Sequence, residues 1–296
     1  MSEQLYNGQP VDQSYSAITV DQLRKETFLQ PGLTYNEKYA SGNIAAGVVN
    51  FYKIAPTAVV STAPGSKITE TAANSSLKSI YISNIYAQEI PVYEDLEQAT
   101  APNFAIETFK SIGENIREGW EAGAIAVLKN GGTADTDVTA VTNANAKTLI
   151  LGAIAKIRKA KAKPSVILVS EDTYSALIGG AITTAVFTPE LNDEMVRSGS
   201  VGRLFGCSVI PNANVGLSTN TAVSVRVGSV SDAATVVDLS KTDFIVYDMR
   251  FFGSISQGLK AGFIEDKDLF GVYARAGVRS GFGVIEPTAV VVHSHA

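Results

Sequence analysis

The most regular hydropathy pattern in the chain is an alternation that runs from Leu269 to Ile285. One of its two sets of positions is apolar or small: Phe270, Val272, Ala274, Ala276, Val278, Ser280, Phe282 and Val284. The other set contains glycines and the arginines Arg275 and Arg279. A period of two held over this length predicts one long antiparallel strand with an apolar face, which bends at its glycines.

A second β-like run, at residues 252–264, precedes this strand and is joined to it by the acidic connector at residues 265–268. The two runs together predict a long hairpin near the C-terminal end. Glycines and paired arginines on one face are typical of a surface that other backbones approach closely. This combination favours a role in assembly over a role in catalysis.

Apolar residues at spacings of three and four predict an amphipathic helix over residues 100–129. They are Ala105, Phe109, Ile112, Ile116, Trp120, Ala124 and Val127. Such a helix would be on the order of 45 Å long. Gly113, Gly119 and Gly123 would weaken it in isolation, so they predict that a strand or another helix crosses it closely there.

A second amphipathic pattern, over residues 143–163, predicts a helix with an apolar side and several basic residues in its last turns. Val166–Val169 is then a predicted buried strand, and Ser170 is the predicted N-cap of a short helix that ends at Gly179 and Gly180. Further strands are predicted at residues 208–210, 222–227 and 235–237. The alternation of helix and strand predicts an α/β unit of about a hundred residues in the middle of the chain.

The N-terminal part of the chain is less regular. Residues 1–40 are polar with scattered aromatic residues, and they predict an arm with one short helix over residues 21–29. Such an arm is either a frayed tail or a segment that lies on a neighbouring subunit. Residues 41–98 predict two long strands around a polar tip at residues 64–76, and a two-stranded ribbon of this length needs another surface to lie on.

Composition and charge narrow the choice of function. The chain has 296 residues and a net charge of −5, and 18% of its residues are charged, against about 25% in a typical protein. Tight, sequence-specific binding of nucleic acid requires a basic face, which an acidic chain of this kind does not indicate. A single cysteine excludes an intrachain disulfide. We expect neither a signal peptide nor a membrane helix, because no stretch has the apolar length that either requires.

No residue pattern predicts a catalytic, cofactor-binding or metal site, and no cofactor is expected. The glycine-rich stretch at residues 199–206 fits neither a dinucleotide-binding motif nor a P-loop, and predicts a turn that leads into the next strand. Cys207 lies beside apolar neighbours and is a predicted small buried residue. His293 and His295 fall within the last four residues and predict a solvated tail, which disfavours a zinc site or a catalytic triad.

The charged clusters also favour ordinary structural roles. Glu265, Asp266 and Asp268 lack the spacing of a calcium-binding loop and predict a polar hairpin tip. The carboxylates at residues 193–194 are adjacent in sequence and would not face each other on a helix, so they predict no acid–base pair. The basic residues within 156–163 predict a solvated helix end, which in a container filled with DNA could still face inward.

The order of elements is arm, ribbon, long helix, α/β unit and long hairpin. This order resembles the major capsid proteins of tailed bacteriophages, which have the Hong Kong 97-like fold. The most specific stretches are SVILVSEDTYSAL at residues 165–177 and VGRLFGCSVIPNAN at residues 201–214, which resemble a passage of the axial domain in that family. The resemblance implies an α+β fold with an N-terminal arm (1–40), an extended β-ribbon loop (41–98), a spine helix of the peripheral domain (99–134), an α/β axial domain (135–240), and peripheral β-hairpin strands with a C-terminal tail (241–296).

The function that this resemblance implies is structural. Copies of the chain would form the pentamers and hexamers of an icosahedral shell around double-stranded DNA, in a virion assembled in the cytoplasm of the host bacterium. The implied partners are a scaffolding protein, a portal and a decoration protein, with weak non-specific contact with DNA and no membrane. Some family members join a lysine of the extended loop covalently to an asparagine of a neighbour. Lys67 and Lys78 could be such lysines, but no asparagine follows Asn220, so we expect a shell held by non-covalent contacts.

Two other functions stay open at this point. A phage tail-tube protein, or another self-assembling structural protein, would also be rich in strands, but it would lack the long helix and the α/β unit. A small α/β enzyme would require a convergent set of polar residues, which the sequence does not indicate.

Overall fold

The computed structural model describes residues 4–6, 9–11, 29, 34–36, 40–41, 47–54, 75–93, 104–183, 202–229, 231–258, 262–265 and 271–296. Within these residues the fold is α+β, with the helices α1 (Phe104–Gly131), α2 (Ala146–Lys159) and α3 (Glu171–Thr183). The strands, in chain order, are β1 (Gln4–Tyr6), β2 (Gln9–Val11), β3 (Ala40–Ser41), β4 (Val48–Ile54), β5 (Ser75–Tyr81), β6 (Asn84–Tyr93), β7 (Thr133–Ala134), β8 (Val166–Val169), β9 (Arg203–Leu204), β10 (Cys207–Pro211), β11 (Val223–Val225), β12 (Thr235–Val237), β13 (Thr242–Tyr247), β14 (Phe252–Gly258), β15 (Gly262–Glu265), β16 (Gly271–Val284) and β17 (Val290–Ser294).

A six-stranded sheet in the order β7-β17-β13-β8-β10-β9 holds much of the core. β8 and β10 run parallel, whereas β13 is antiparallel to both β8 and β17. All residues of β8 and β13 are buried, and these strands are mainly apolar runs because both faces of the sheet are covered. α2 and α3 pack on one face, through residues such as Ile154 and Leu177, and α1 packs on the other through residues such as Ile125. We call the six-stranded sheet with α2 and α3 the α/β unit.

Local signals in the sequence set the ends of two elements in the α/β unit. Val166–Val169 is a strand as predicted, and Ser170 caps the helix after it, since the Ser170 Oγ accepts a hydrogen bond from the Thr173 N–H at 3.2 Å. α2 is shorter than its predicted span of 143–163. It ends early because Lys161, two residues beyond the helix, has a left-handed backbone with a φ of 62°.

α3 is longer than predicted. Gly179 and Gly180 do not end it, and the helix continues to Thr183. A Cβ on Gly179 would lie 2.6 Å from the side-chain nitrogen of Asn143, and a Cβ on Gly180 would overlap the Asn143 carbonyl oxygen. The glycine pair therefore lets the segment before α2 cross α3 closely, which is a packing role that sequence does not distinguish from a helix end.

A second sheet is built around β16, and it confirms the long strand predicted from the alternation. β14 and β15 pair in succession with one edge of β16, as the predicted hairpin requires. The whole of β6 pairs with residues 271–280 on the other edge of β16. All three are antiparallel to β16. We call these four strands the long-strand sheet. α1 lies across its apolar face, where the rings of Trp120 and Phe282 are 6.0 Å apart.

Of the three glycines Gly113, Gly119 and Gly123 of α1, two have the predicted role in a close crossing. Gly119 and Gly123 lie against the ring of Tyr86, which projects from β6. A side chain on Gly123 would overlap the Tyr86 hydroxyl group. Gly113 differs, because a Cβ there would meet nothing within 4 Å among the described residues. The prediction of a close crossing therefore holds at Gly119 and Gly123, where β6 crosses α1, and does not hold at Gly113.

β4 and β5 pair antiparallel and form the ribbon, which lies on the glycine face of the long-strand sheet. A Cβ on Gly281 would overlap the Tyr81 carbonyl oxygen, and a Cβ on Gly283 would lie 2.8 Å from the Ile80 side chain. The close approach predicted for this face is confirmed. The approaching backbone, however, belongs to the same chain and not to a partner.

The second strand of the predicted ribbon is in fact two strands in different sheets. β5 ends at Tyr81 and pairs with β4, whereas β6 begins at Asn84 and pairs with β16. The Ser83 Oγ and the Asn84 Nδ2 both donate hydrogen bonds to the Arg226 carbonyl oxygen, at 3.0 and 2.8 Å, and hold the chain at this change of sheet. Residues 64–74 of the predicted tip lie outside the described part of the chain.

The predicted N-terminal arm is described only in part. β1 and β2 form a short hairpin, and the predicted helix over residues 21–29 lies outside the described residues apart from Leu29. Tyr35 is buried, and the Asn36 N–H donates a hydrogen bond to the Phe252 carbonyl oxygen at 2.8 Å. Residues 34–36 of the arm therefore pack on β14 of the same chain. At this point the arm is neither a frayed tail nor a segment that lies on a neighbouring subunit.

Candidate assembly surfaces

The polar side chains of the described residues do not form a metal site. No group of three or more histidine, cysteine, aspartate or glutamate side chains among them could hold a metal ion. None of the helices in this part of the chain has an apolar stretch long enough to cross a membrane. Several large hydrophobic side chains of the described residues are exposed, and they form surfaces that another subunit could cover.

The prediction of a solvated tail was wrong at His293, whereas His295 is partly exposed. His293 is fully buried in β17, its ring is stacked on that of Phe244 at 4.7 Å, and its Nε2 lies 3.0 Å from the Thr139 carbonyl oxygen. The physical reason is that β17 is an inner strand of the six-stranded sheet, paired on both edges. The apolar run at residues 290–292 was the available signal for this strand.

Charged groups from several elements surround His293. Its Nε2 is 3.6 Å from the Asp243 Oδ2, and its Nδ1 is 3.9 Å from the Asp135 Oδ2. Lys156 of α2 forms an ion pair with Asp135, and the His295 Nδ1 lies 3.0 Å from the Asp243 Oδ1. These ion pairs and close polar contacts connect α2 and the segment after β7 to the C-terminal strand β17. The arrangement is that of a structural network.

Cys207 is the small buried residue that its apolar neighbours predict. Burial raises the pKa of its thiol, and the Sγ donates a hydrogen bond to the Pro164 carbonyl oxygen at 3.4 Å. Such a thiol stays protonated at neutral pH and is a poor nucleophile. The glycine-rich stretch precedes Cys207, and its last residues, 202–206, contain the predicted turn. Gly202 and Gly206 have φ angles of 48° and 86° there.

The basic stretch at the end of α2 is a solvated helix end at most of its positions, as predicted. Lys159, Lys161 and Lys163 are exposed, whereas Lys156 forms the ion pair given above. Glu265 is the last residue of β15, which places it at the end of a strand of the long-strand sheet. The other acidic candidates lie outside the described residues: Asp266, Asp268 and residues 193–194.

One groove lies between α1 and β6, with a volume of about 480 Å³. Tyr86 packs on α1, so the alternation of β6 leaves Ile85 facing outward with 62% of its surface exposed. Burial raises the pKa of Tyr86 to about 12. The Asn115 Nδ2 donates a hydrogen bond to the Gln88 Oε1 at 3.1 Å across the groove. An exposed isoleucine beside a partly apolar groove is a surface that a side chain of another subunit could cover.

A second groove, of about 310 Å³, shares Ile85 with the first. Its lining adds two cationic side chains, Arg226 and Arg279, to apolar and hydroxyl groups. Arg279 belongs to the glycine face of β16, where the alternation had indicated a contact surface. This groove therefore suits a segment that is apolar and also carries a carboxylate.

The ribbon has one covered face and one open face. Phe51 and Ile80 are buried against the long-strand sheet. Leu77 is exposed on the opposite face, with half of its surface open to solvent, and Lys78, which pairs with Phe51, is exposed nearer the tip than Ile80. A two-stranded ribbon has little stability of its own, so its open face is a candidate contact with another subunit.

Comparison with known proteins assigns the chain to a family. The family model described as phage capsid protein matches residues 84–293, which is more than half of the chain. No curated protein has a significantly similar sequence.

Solved structures of phage proteins share the fold. The chain superposes on a protein of Mycobacterium phage Che8 with a TM-score of 0.72 at 20% identity, covering 96% of both chains. The capsid structure of the cyanophage P-SCSP1u gives a TM-score of 0.70 at 14% identity, covering 96% of this chain and 92% of that one. The capsid of Myoviridae phage XM1 gives 0.62 at 14% identity, covering 96% and 97%. The chain belongs to the phage capsid protein family, in which it is a major capsid subunit.

Proposed function

We propose that copies of this chain assemble as pentamers and hexamers into a closed icosahedral shell that encloses double-stranded DNA. The observation that carries this proposal is the family match over residues 84–293, in a chain whose fold extends over nearly the whole length of the capsid chains it resembles. The role is structural and involves no catalysis. The protein is part of the virion, and the shell is assembled in the cytoplasm of the host bacterium.

In this proposal each part of the chain has one role in the shell. The parts are the N-terminal arm (1–40), the extended loop (41–98), the spine helix (99–134), the axial domain (135–240) and the remaining peripheral strands with the tail (241–296). Support comes from α1, which packs on the six-stranded sheet and on the long-strand sheet. It also comes from the ribbon, on which Leu77 is exposed to solvent. β6 lies within the extended loop by these boundaries, but it pairs with β16 and so contributes to the peripheral sheet.

The proposed partners follow from assembly of such a shell. A scaffolding protein would guide the curvature, a portal would occupy one vertex, and a decoration protein would bind the outer surface. Contact with the packaged DNA would be weak and non-specific, because the net charge of −5 gives the subunit no overall attraction for phosphate.

Assembly can be tested with the purified full chain. We expect light scattering at native salt to show capsomers or shells, and negative-stain microscopy to show closed particles, in which exposed groups such as Ile85 and Leu77 would contact neighbouring subunits. A chain that stays at its monomer mass of 31.2 kDa as concentration rises would contradict the proposal. Tubes instead of shells would favour the tail-tube alternative.

We also propose that the shell is held by non-covalent contacts alone. Lys78 is exposed on the ribbon, but no asparagine follows Asn220 to act as its partner in the last part of the chain. Boiling mature particles in detergent should give one band near 31.2 kDa. A ladder of larger bands would contradict this, and its loss in a Lys78→Arg variant would identify the joined residue.

A further inference from the structure

The second groove, of about 310 Å³, lies where three parts of the chain meet, and we call it the arginine groove. Ile82 and Ser83 line it at the junction between the ribbon and the long-strand sheet, and Arg279 lines it from β16. Ser224 of β11 and Ala234, just before β12, belong to its lining as well. A side chain bound in the arginine groove would therefore contact the end of the ribbon, the long-strand sheet and the β11–β12 pair.

Hydrogen bonds fix the backbone of Arg226 to the start of β6. The Asn84 Nδ2 donates to the Arg226 carbonyl oxygen at 2.8 Å, and the Arg226 N–H donates to the Asn84 Oδ1 at 2.9 Å. The Ser83 Oγ donates to the same carbonyl oxygen at 3.0 Å. Ser83 and Asn84 are both buried, so these hydrogen bonds hold the arginine groove in shape within a single subunit.

Two arginine side chains line the arginine groove, and neither has a carboxylate partner among the described residues. Arg279 is opposite Ile85 in the register of β16 and β6, so their side chains lie on the same face of the long-strand sheet. The Arg279 Nε is buried and has no hydrogen-bond partner within the described part of the chain. Arg226 is exposed, and the hydrogen bonds given above involve only its backbone. A buried guanidinium N–H without an acceptor is unfavourable, and a bound oxyanion would supply that acceptor.

The subunit does not supply this oxyanion from the described residues around the arginine groove. None of its described lining residues is acidic. Glu89, further along β6, lies 3.4 Å from Arg275 and is engaged there. Asp232, in the connection before Ala234, accepts a hydrogen bond from the Ser229 N–H at 2.7 Å. The arginine groove therefore presents two cations without a counter-charge of its own.

An exposed apolar side chain distinguishes between the ligands that could carry the oxyanion. Ile85 lines the arginine groove beside Arg279, with 62% of its surface exposed. Phosphates of DNA would match the two arginines but would leave the isoleucine uncovered. A peptide segment that carries a carboxylate and an apolar side chain would match both, in the way that an apolar anchor is combined with charged contacts at protein interfaces.

We propose that the arginine groove binds an acidic segment of a partner protein distinct from this chain, with a carboxylate at Arg226 and Arg279 and an apolar side chain on Ile85. The inference rests on the proposed function and gives a partner of the shell its binding site on the subunit. A segment bound there would contact three parts of one subunit and fix them relative to one another. That is the action of a partner that sets the shape of the subunit, and it favours a separate protein over a second copy.

Binding is tested on the full chain, kept below the concentration at which it assembles. A yeast-displayed library of random peptides is selected on the unmodified chain, and peptides that also bind the Arg226→Gln/Arg279→Gln double variant are removed. We expect the remaining peptides to carry aspartate or glutamate close to an aliphatic or aromatic residue. The strongest of them, synthesised with a fluorophore, is the acidic peptide for the measurements of Kd. A selection that leaves no peptide, or only peptides without a carboxylate, overturns the proposal.

Single substitutions assign the parts of the arginine groove. Arg226→Gln and Arg279→Gln should each raise the Kd of the acidic peptide at least about tenfold, because each removes a charged hydrogen-bond donor. Replacing the carboxylate of the peptide by an amide should weaken binding to the unmodified chain similarly, with little further loss in Arg279→Gln. Ile85→Ser should raise the Kd several-fold, since it removes the apolar contact.

The matched control is Arg203→Gln, which removes an exposed arginine of β9 outside the arginine groove and should leave the Kd unchanged. Thermal melting separates lost binding from misfolding. Arg226 and Ile85 are exposed, so their variants should keep the fold even if the one at Arg279 does not. Equal Kd values for the unmodified chain and for Arg226→Gln and Ile85→Ser overturn the proposal.

The same peptide distinguishes the proposed occupant from the others. At saturating concentration it should leave self-assembly of the unmodified chain unchanged, as expected if the occupant is a separate protein. If it blocks assembly, and Arg226→Gln also prevents assembly, the arginine groove holds a second copy and the choice of partner is overturned. Displacement of the peptide by a double-stranded DNA fragment would overturn that choice as well. If the chain forms neither capsomers nor shells at any concentration, the proposed function fails, whereas the Kd values still decide whether the groove binds an acidic segment.

Discussion

The α/β unit and the ribbon both bury apolar strand residues, but they bury their strands to different degrees. In the α/β unit both faces of β8 and β13 are covered, by α2 and α3 on one side and α1 on the other. In the ribbon Phe51 and Ile80 are buried, whereas half of the Leu77 surface is exposed. The α/β unit completes its core within one chain. The ribbon instead depends on the glycine face of the long-strand sheet and leaves apolar surface for a neighbour.

The largest expected effect compares the same substitution in the two regions. Leu168→Ala removes a fully buried side chain of β8 and should lower the free energy of unfolding by about 2–5 kcal/mol. Leu77→Ala, on the open side of the ribbon, should change it by less than about 0.5 kcal/mol while weakening assembly. Chemical denaturation of the unassembled chain measures both values. Equal losses would show that the ribbon is already part of a complete core.

The next effect concerns the glycine face on which the ribbon lies. Gly281→Ala places a methyl group against the backbone of Tyr81 and should destabilise the chain by about 1–3 kcal/mol. Gly113→Ala is the matched control in α1, where the new methyl group meets no atom within 4 Å and should stabilise the helix by up to about 1 kcal/mol. Thermal unfolding of both variants is the measurement. A neutral Gly281→Ala would mean that the ribbon can move away without cost.

A third effect, at high pH, tests the contact between β6 and α1. Burial raises the pKa of Tyr86 to about 12, above its usual 10.0, so the folded chain keeps the phenol proton longer than the unfolded chain. Stability is unaffected below pH 10 and should fall as the pH rises through 12, by at most about 2–3 kcal/mol. Tyr86→Phe should lose less stability than the unmodified chain between pH 10 and 12. Parallel pH curves for the two proteins would place the hydroxyl group in water.

The smallest effect tests whether the α/β unit depends on its local signals. Ser170→Ala removes the N-cap of α3 and should cost about 1 kcal/mol, less than the loss of a core leucine. Ser170→Asp keeps a capping oxygen and should recover most of this loss. Denaturant midpoints at neutral pH distinguish the three proteins. A loss for Ser170→Ala as large as that for Leu168→Ala would mean that α3 is held by its cap more than by its packing.

The sequence by itself determined the elements whose signals are local. The three-and-four spacing located α1, the long alternation located β16, and the run Val166–Val169 followed by Ser170 located a strand and its capped helix. In each case neighbouring residues along the chain impose the backbone conformation or its buried face, so periodicity is sufficient. The order of these elements was also enough to indicate the capsid family, which the match over residues 84–293 confirms.

Only the tertiary structure decided which surfaces meet. The isoleucines on both sides of residues 83–84 read as one strand, and only the pairing of β5 and β6 with different partners shows that the chain changes sheets there. Two residues near the end of the chain looked solvated, yet pairing of β17 on both edges buries His293. The glycine face of β16 required a close neighbour, and the fold supplied the chain's own ribbon. Partners distant in sequence leave no local pattern, because the free energy of such contacts depends on the position of the whole element and not on adjacent residues.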